Sequence, residues 1–403
     1  MSDSAPYEAS MTQRPWMSVL LLVNLMLVSL LVVEAAARIG VYGIERWRPD
    51  YRAGADGYFG ATWTRDYYRE FAASGGAEWR PYVYWRRPPF AGRFINVDAE
   101  GIRRTWKAAT GDAERTRIFV MGGSTAWGTG ARDDYTLPSE LAKGLFERGR
   151  AAEVTNYAES GYVTFQDVSM LLSRLHRGNV PDLVVFYGGV DDVFSALQNG
   201  VAGIPQNEVN RRREFNVLQP ENVGKLLPVL TSGTQYFAGM VRRRLMRNTA
   251  GAVLPEAGNR SALAQAVIEQ YCANLRTVRG LAREYGFRAL FFWQPVIFTK
   301  PTLTSYEVFE RDRYGYARDF FAETYKRMAD APPSCRDLGL DDVSRVFEND
   351  ARPYYIDAFH VTEAGNQRVA AAMLPIVIES LASPLQNGQW TPTTPAQVHG
   401  GQR

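Results

Sequence analysis

The sequence predicts an α/β domain built on a parallel sheet with helices on both faces, preceded by one membrane-spanning helix. Two observations carry this reading. Short apolar runs alternate with longer stretches of helical periodicity along most of the chain, the pattern of a sheet covered on both sides. Residues 16–33, WMSVLLLVNLMLVSLLVV, carry no charge. As a helix they span about 27 Å, enough for a hydrocarbon core.

The apolar segment is expected to be a retained signal anchor over residues 16–38, with Trp16 at an interface. A cleaved signal peptide competes, since EAAAR offers small residues, but the run is long for a signal core and the tail before it, residues 1–15, is not strongly basic. Arg38, Arg46 and Arg48 follow the segment while Arg14 precedes it. Counting charges alone would put the C-terminal side in the cytoplasm, although long domains translocate despite such charges.

Residues 39–114 form a lead-in rich in Arg, Tyr, Trp and Gly, expected to be irregular or short-stranded rather than helical. The main domain is expected over 115–385. RIFVM (117–121) reads as a buried strand, LPSELAKGLFER (137–148) as a helix and EVTNYA (153–158) as a second strand. A helix near 166–177 leads to the strand DLVVFY (182–187). A long helix over 259–285, the strand RALFFW (288–293) and a helix over 306–330 follow. The last helix runs from Thr362 to Leu381, with Val369, Met373, Ile376 and Ser380 on its inner face. An insert at about 195–258 carries two arginine runs and reads first as a solvated surface, with a lid or a membrane-facing patch as alternatives. The tail 386–403 is polar and expected to be disordered.

Composition narrows the chemistry. Net charge is +3, from 46 basic and 43 acidic residues. That near balance is not the footprint of a nucleic-acid binder, and no nucleic-acid partner is expected. Cys272 and Cys335 are the only cysteines and no Cys/His cluster exists, so no metal site and no cofactor are expected. The two cysteines read as buried thiols, or as one disulfide if the domain lies outside the cytoplasm. Of three histidines, His176 reads as surface and His399 falls in the polar tail, which leaves His360 as the candidate base.

In open parallel sheets, ligands bind at the carboxyl ends of the strands. The first strand ends in Gly122, Gly123 and Ser124, a tight turn that exposes a hydroxyl. A phosphate-binding loop is excluded there because the lysine of that motif is absent. The second strand leads to Gly161, a candidate backbone N–H donor, or simply a turn glycine. The third leads to YGGVDDV, where Asp191 and Asp192 suit acid–base work or helix capping. Near the C-terminus, Asp357 and His360 stand three apart before a helix that Thr362 can cap. A carboxylate so placed can orient an imidazole, as a Ser–His–Asp relay requires.

Together these blocks, in this order over about residues 115–385, resemble the SGNH (GDSL-like) hydrolase family. FFWQP (291–295) and HVTEAGN (360–366) strengthen the likeness to members with a membrane anchor. The resemblance implies a flavodoxin-like three-layer α/β/α sandwich and ester hydrolysis, on acyl groups of lipids or O-acetyl groups of sugars. It implies Ser124 as nucleophile, His360 as base, Asp357 as its partner, and an oxyanion hole of Ser124, Gly161 and the residue at 191. It also implies an extracytoplasmic domain. Two departures stand out: Gly123 replaces the usual acidic residue, and Asp191 replaces an asparagine that donates to the oxyanion. An ionised Asp cannot donate, whereas a carboxyl kept protonated by burial can. The expected function is a membrane-anchored esterase or carbohydrate O-deacetylase. Two alternatives stand beside it: an O-acyltransferase acting on an envelope polysaccharide, and an inactive glycan-binding module.

Overall fold

The computed structural model describes residues 15–47, 50–109, 115–217, 233–234, 237–238, 257–330, 335 and 337–383. It divides into two units, Met1–Arg48 with Arg211–Gly251, and Pro49–Asn210 with Ala252–Arg403. Residues 1–14 of the expected N-terminal tail and the expected tail 386–403, His399 with it, lie outside the described residues.

In the first unit, α1 (Pro15–Trp47) contains a candidate membrane span, Trp16–Val41, with mean hydropathy 2.5. Helix continues past the predicted end at residue 38, into what was expected to be lead-in. Glu34 interrupts the apolar surface. Its carboxylate accepts from Gly233 N at 2.6 Å, Thr234 N at 2.8 Å and Thr234 Oγ1 at 2.7 Å, and from Arg38 Nε at 2.8 Å. An acidic group among apolar residues is costly without such donors.

The second unit begins with the lead-in, which is not devoid of helix as expected: α2 covers Thr64–Ala73. Tyr67, Tyr68 and Phe71 share its inner face at helical spacing, and Tyr67 and Tyr68 are buried. Aromatics are mediocre helix formers, so packing decides this element. Two small antiparallel pairs follow, β1 (Glu78–Arg80) with β2 (Tyr84–Arg86) and β3 (Phe90–Ala91) with β4 (Asn96–Val97).

Then β5 (Thr116–Gly122), α3 (Ser124–Trp127), α4 (Leu137–Glu147), β6 (Ala152–Asn156), α5 (Thr164–His176), β7 (Leu183–Gly188) and α6 (Val190–Asn199) alternate. After α7 (Glu208–Val217) come α8 (Ala257–Tyr285), β8 (Arg288–Trp293), α9 (Ser305–Arg313), α10 (Gly315–Ala329), β9 (Leu340–Asp342) and α11 (Glu363–Ala382). The helix expected over 306–330 is in fact two, broken at Tyr314, whose backbone leaves the helical region. The fifth strand, β9, was not foreseen. It is three residues long and partly acidic, too short to carry a period.

The sheet order is β6-β5-β7-β8-β9, and every pairing is parallel. Side chains alternate between two cores. Ile118, Val120, Val185 and Phe292 face α4, α11 and the lead-in, while Phe119, Met121, Phe186 and Phe291 face α5, α6, α8 and α10. This is a three-layer α/β/α sandwich. On α11, Val369, Met373 and Ser380 are buried as predicted, but Val377 rather than Ile376 completes the inner stripe. The order of strands reverses between β5 and β7, the place where such sheets open a crevice at their carboxyl edge.

The lead-in shares the first core through Tyr58, Tyr67, Phe94 and Ile95. Cys272 on α8 and Cys335 form a disulfide across 63 residues.

Candidate active site

Ser124 sits at the first position of α3, immediately beyond β5. The loop before α11 brings His360 to it from 236 residues away, with Nε2 2.7 Å from Ser124 Oγ. His360 Nδ1 lies 2.9 and 2.8 Å from the two carboxylate oxygens of Asp357. With Nδ1–H donating to that carboxylate, Nε2 is left to accept from the serine hydroxyl. Asp357 also accepts from the backbone N–H groups of Phe359 and His360, at 2.9 and 2.8 Å, so the turn that holds the pair is closed by the same carboxylate. Thr362 caps α11 through Gly365 N, as expected.

Asp357 is buried, which by itself raises a carboxyl. His360, these hydrogen bonds and Arg52 outweigh burial and hold it well below the usual carboxylate range. Arg52 donates to Asp357 Oδ2 at 3.2 Å from the lead-in, and its guanidinium lies against Tyr68 and Phe71. Nothing in the sequence around Arg52 marked it.

Two further lead-in clusters reach the same edge of the sheet. Arg86 donates to Tyr157 O at 2.6 Å, Arg87 N to Glu159 at 2.9 Å, and Trp85 Nε1 to Ser160 O at 2.9 Å, which fixes the loop ending at Gly161. Arg103 donates to the carbonyls of Trp127 at 3.1 Å and Gly128 at 2.8 Å, and to Asp133 at 2.9 Å, which fixes the loop after Ser124. Gln294, just past β8, accepts from Thr125 Oγ1 at 3.1 Å. The strand-end rule applied to FFWQP would have found that last residue.

Gly161 has φ +79°, a left-handed backbone that suits glycine. Asp191 and Asp192 are buried at the start of α6. Asp192 reaches back to the N–H of Gly189, the N-cap of α6, so the capping reading holds for it in part. It also accepts from Thr164 N at 3.1 Å and Thr164 Oγ1 at 2.8 Å, at the start of α5. Asp191 turns toward the nucleophile: a Cβ on Gly123 would lie only 1.7 Å from Asp191 Oδ2. Burial, then the neighbouring Asp192, push Asp191 up to about 7, against the opposing pull of Gln206 and the Ser124 N–H. Burial pushes Asp192 up to about 6, and Asp167 on α5 is raised further by burial and by both neighbours. His176 is exposed, consistent with a surface role.

A parallel three-layer sandwich with a serine, a histidine and an aspartate in one hydrogen-bonded row at the strand ends defines a hydrolase-type domain. The family model of GDSL-like lipase/acylhydrolases matches residues 118–373, more than half of the chain. The chain belongs to that family. Among solved structures it is similar to an acetyl xylan esterase, AlAXEase, at 15% identity, covering 65% of this chain and 99% of that one with TM-score 0.35. It is also similar to a lipase/acylhydrolase from Enterococcus faecalis, at 10% identity, 65% and 95% coverage and TM-score 0.36. A third is a Clostridium thermocellum family 3 carbohydrate esterase, at 13% identity, 67% and 100% coverage and TM-score 0.33. No curated protein matches the chain.

Proposed function

We propose that this chain is a membrane-anchored serine hydrolase that cleaves carboxylic esters. The observation that carries the reading is the 2.7 Å contact between His360 Nε2 and Ser124 Oγ, with Asp357 behind the imidazole. In this mechanism Ser124 Oγ attacks the ester carbonyl and His360 takes its proton. The same imidazolium then protonates the leaving alcohol, and Asp357 stays ionised throughout. The Gly161 N–H receives the oxyanion together with the Ser124 N–H, which donates to Asp191 in the empty site and turns to the oxyanion when substrate binds. Water, activated by His360, releases the acid. Residues 16–38 anchor the chain in the membrane, and the disulfide supports an extracytoplasmic domain, because such bonds persist in oxidising compartments.

An O-acylated carbohydrate is the favoured substrate. Trp85 lies against Gly161, stacks with Tyr84, and belongs to a hairpin that exposes Trp79 and Tyr82. Flat aromatic faces suit sugar rings. The same surface supports acyl transfer to an envelope polysaccharide as the second reading.

The test is incubation of the full-length protein in detergent with p-nitrophenyl acetate and a fluorophosphonate probe. Wild type labels and turns over, and Ser124→Ala loses both by at least about a thousandfold. Equal labelling of the two proteins, or none of wild type, overturns the reading and favours an inactive glycan-binding module. Transfer to an added oligosaccharide that outpaces hydrolysis identifies the acyltransferase.

A further inference from the structure

The residue at 191 is a carboxyl where an N–H donor is expected, and its surroundings explain how it can serve. Asp191 Oδ2 occupies the space that any side chain at position 123 would need, since a Cβ there would lie 1.7 Å away. The next nearest atom outside Asp191 is Tyr162 O at 3.5 Å, so Asp191 alone claims that space. Gly123 has φ −84°, a conformation open to every residue, so its backbone does not require glycine. Room for Asp191 does.

The other carboxyl oxygen is also held. Gln206, at the start of the insert, donates from Nε2 to Asp191 Oδ1 at 2.8 Å. Its Oε1 lies 3.3 Å from where a Cβ on Gly161 would sit, so the carboxamide bridges Asp191 and the Gly161 loop. Gln206 of the insert therefore belongs to the site.

We propose that Gly123 and Gln206 hold Asp191 in the oxyanion hole as a protonated carboxyl, with Oδ1 fixed by Gln206 and the O–H on Oδ2 donated to the oxyanion. The inference rests on the ester-hydrolase reading above. The proton remains on the carboxyl throughout. It takes the place of an amide N–H, and no group is transferred. Asp191 is a catalytic residue in this scheme, Gln206 a positioning residue, and Gly123 the vacancy that admits the carboxyl. The titratable groups facing Asp191 are Asp192 on its own helix, Asp167 on α5, and His360 across Ser124. Asp192 opposes its ionisation, because a neighbouring negative charge in a buried cluster disfavours the next, and Asp167 is raised by Asp191 in turn. Gln206 and the Ser124 N–H favour it.

The sign of the pH dependence follows. The donor exists only below the point where Asp191 ionises, about 7. Wild-type kcat/KM therefore falls about tenfold per pH unit on the alkaline side.

The experiment measures kcat/KM and fluorophosphonate labelling from pH 5 to about pH 9.5 for full-length wild type, Asp191→Asn, Gln206→Leu and Gly123→Ala, with Ser124→Ala as control. Asp191→Asn, whose amide donates at every pH, is expected to lose the alkaline fall and to exceed wild type at least tenfold at pH 9. Gln206→Leu removes a group that favours ionisation, so its fall moves to higher pH while kcat drops several-fold. Gly123→Ala expels the carboxyl and loses about 10- to 100-fold with its thermal transition retained. Infrared difference spectra between wild type and Asp191→Asn supply a readout independent of activity: a protonated-carboxyl band at pH 6 that is gone by pH 9. Ser124-dependent turnover with a flat alkaline profile in wild type overturns this inference and leaves the ester-hydrolase reading intact. Absence of the infrared band at pH 6 also overturns it. Absence of any Ser124-dependent reaction at every pH overturns both.

Discussion

Replacing Arg103 by methionine tests whether the lead-in is a structural part of the site. Arg103 is fully buried. Its guanidinium pairs with Asp133 at 2.9 Å, donates to the carbonyls of Trp127, Gly128 and Ala131, and lies 4.2 Å over the Trp127 ring. Methionine keeps much of the volume and none of the donors. The loss leaves Asp133 with Asn96 at 2.9 Å and the more exposed Arg104 at 3.3 Å, removes a donor from Trp127 O and Gly128 O, which keep Asn156 and Tyr67, and takes the Arg103 donor from Ala131 O. Breaking a buried pair in this way costs about 3–5 kcal/mol. At about 2.1 cal/mol/K of unfolding entropy per residue over roughly 300 residues, ΔS is about 0.6 kcal/mol/K, so Tm falls by about 5–8 °C. Scanning calorimetry of wild type and variant at equal detergent concentration measures it. The double variant Arg103→Met with Asp133→Leu removes both charges and is expected to recover part of the loss. Ester turnover should fall beyond what the unfolded fraction explains, because the freed carbonyls follow Ser124 directly. A Tm within about 1 °C of wild type would show that these contacts contribute nothing and that the lead-in merely rests on the domain.

Three further outcomes are expected. Asp191 ionises near pH 4 when unfolded but at about 7 when folded, so between those values the unfolded state binds fewer protons and wild-type stability falls as pH rises. Asp191→Asn lacks this term, and denaturant titrations should find it more stable than wild type by roughly 2–4 kcal/mol more at pH 8 than at pH 4. A constant difference across that range contradicts the burial of an ionisable group there. Removing the Cys272–Cys335 disulfide, by reduction or by alanine at both positions, opens a 63-residue loop and should cost about 2–4 kcal/mol, with reductant shifting the Tm of wild type only. Gly144→Ala puts a Cβ 2.2 Å from Leu374 Cδ1, where α4 meets α11, and overpacking of this kind should cost about 1–3 kcal/mol in a thermal scan. Trimming the neighbour with Leu374→Val should recover part of it.

Much of the domain was legible because its strands are apolar at successive positions. Phe119 and Val120 are both buried because the sheet is covered on both faces, and no alternation was needed to find β5. The strand-end rule then pointed to Ser124, Gly161 and Asp191, and spacing paired Asp357 with His360. The helix α2 escaped because its inner face is tyrosine and phenylalanine, whose helical preference is weak, and β9 because three residues carry no period. Arg52, Trp85, Arg86 and Arg103 were invisible for another reason. Each acts through a contact at long range, and an arginine in an irregular stretch has the same local appearance whether it lies in solvent or in a core. Gln206 was hidden likewise, inside an insert that read as solvated surface.

What the sequence determined by itself was the set of local choices: an uncharged stretch long enough to cross a membrane, strands that must be buried on both sides, and a carboxylate three residues before a histidine. Those follow from hydrophobic pattern and turn chemistry within a few residues. Only the tertiary structure decided how distant groups meet. It placed His360 2.7 Å from Ser124, set three lead-in clusters against three loops of the site, and turned Asp191 into the space left by Gly123. Whether that carboxyl is charged depends on burial and on neighbours brought together by folding, because the side chain sets only the starting acidity and everything around it in space shifts it.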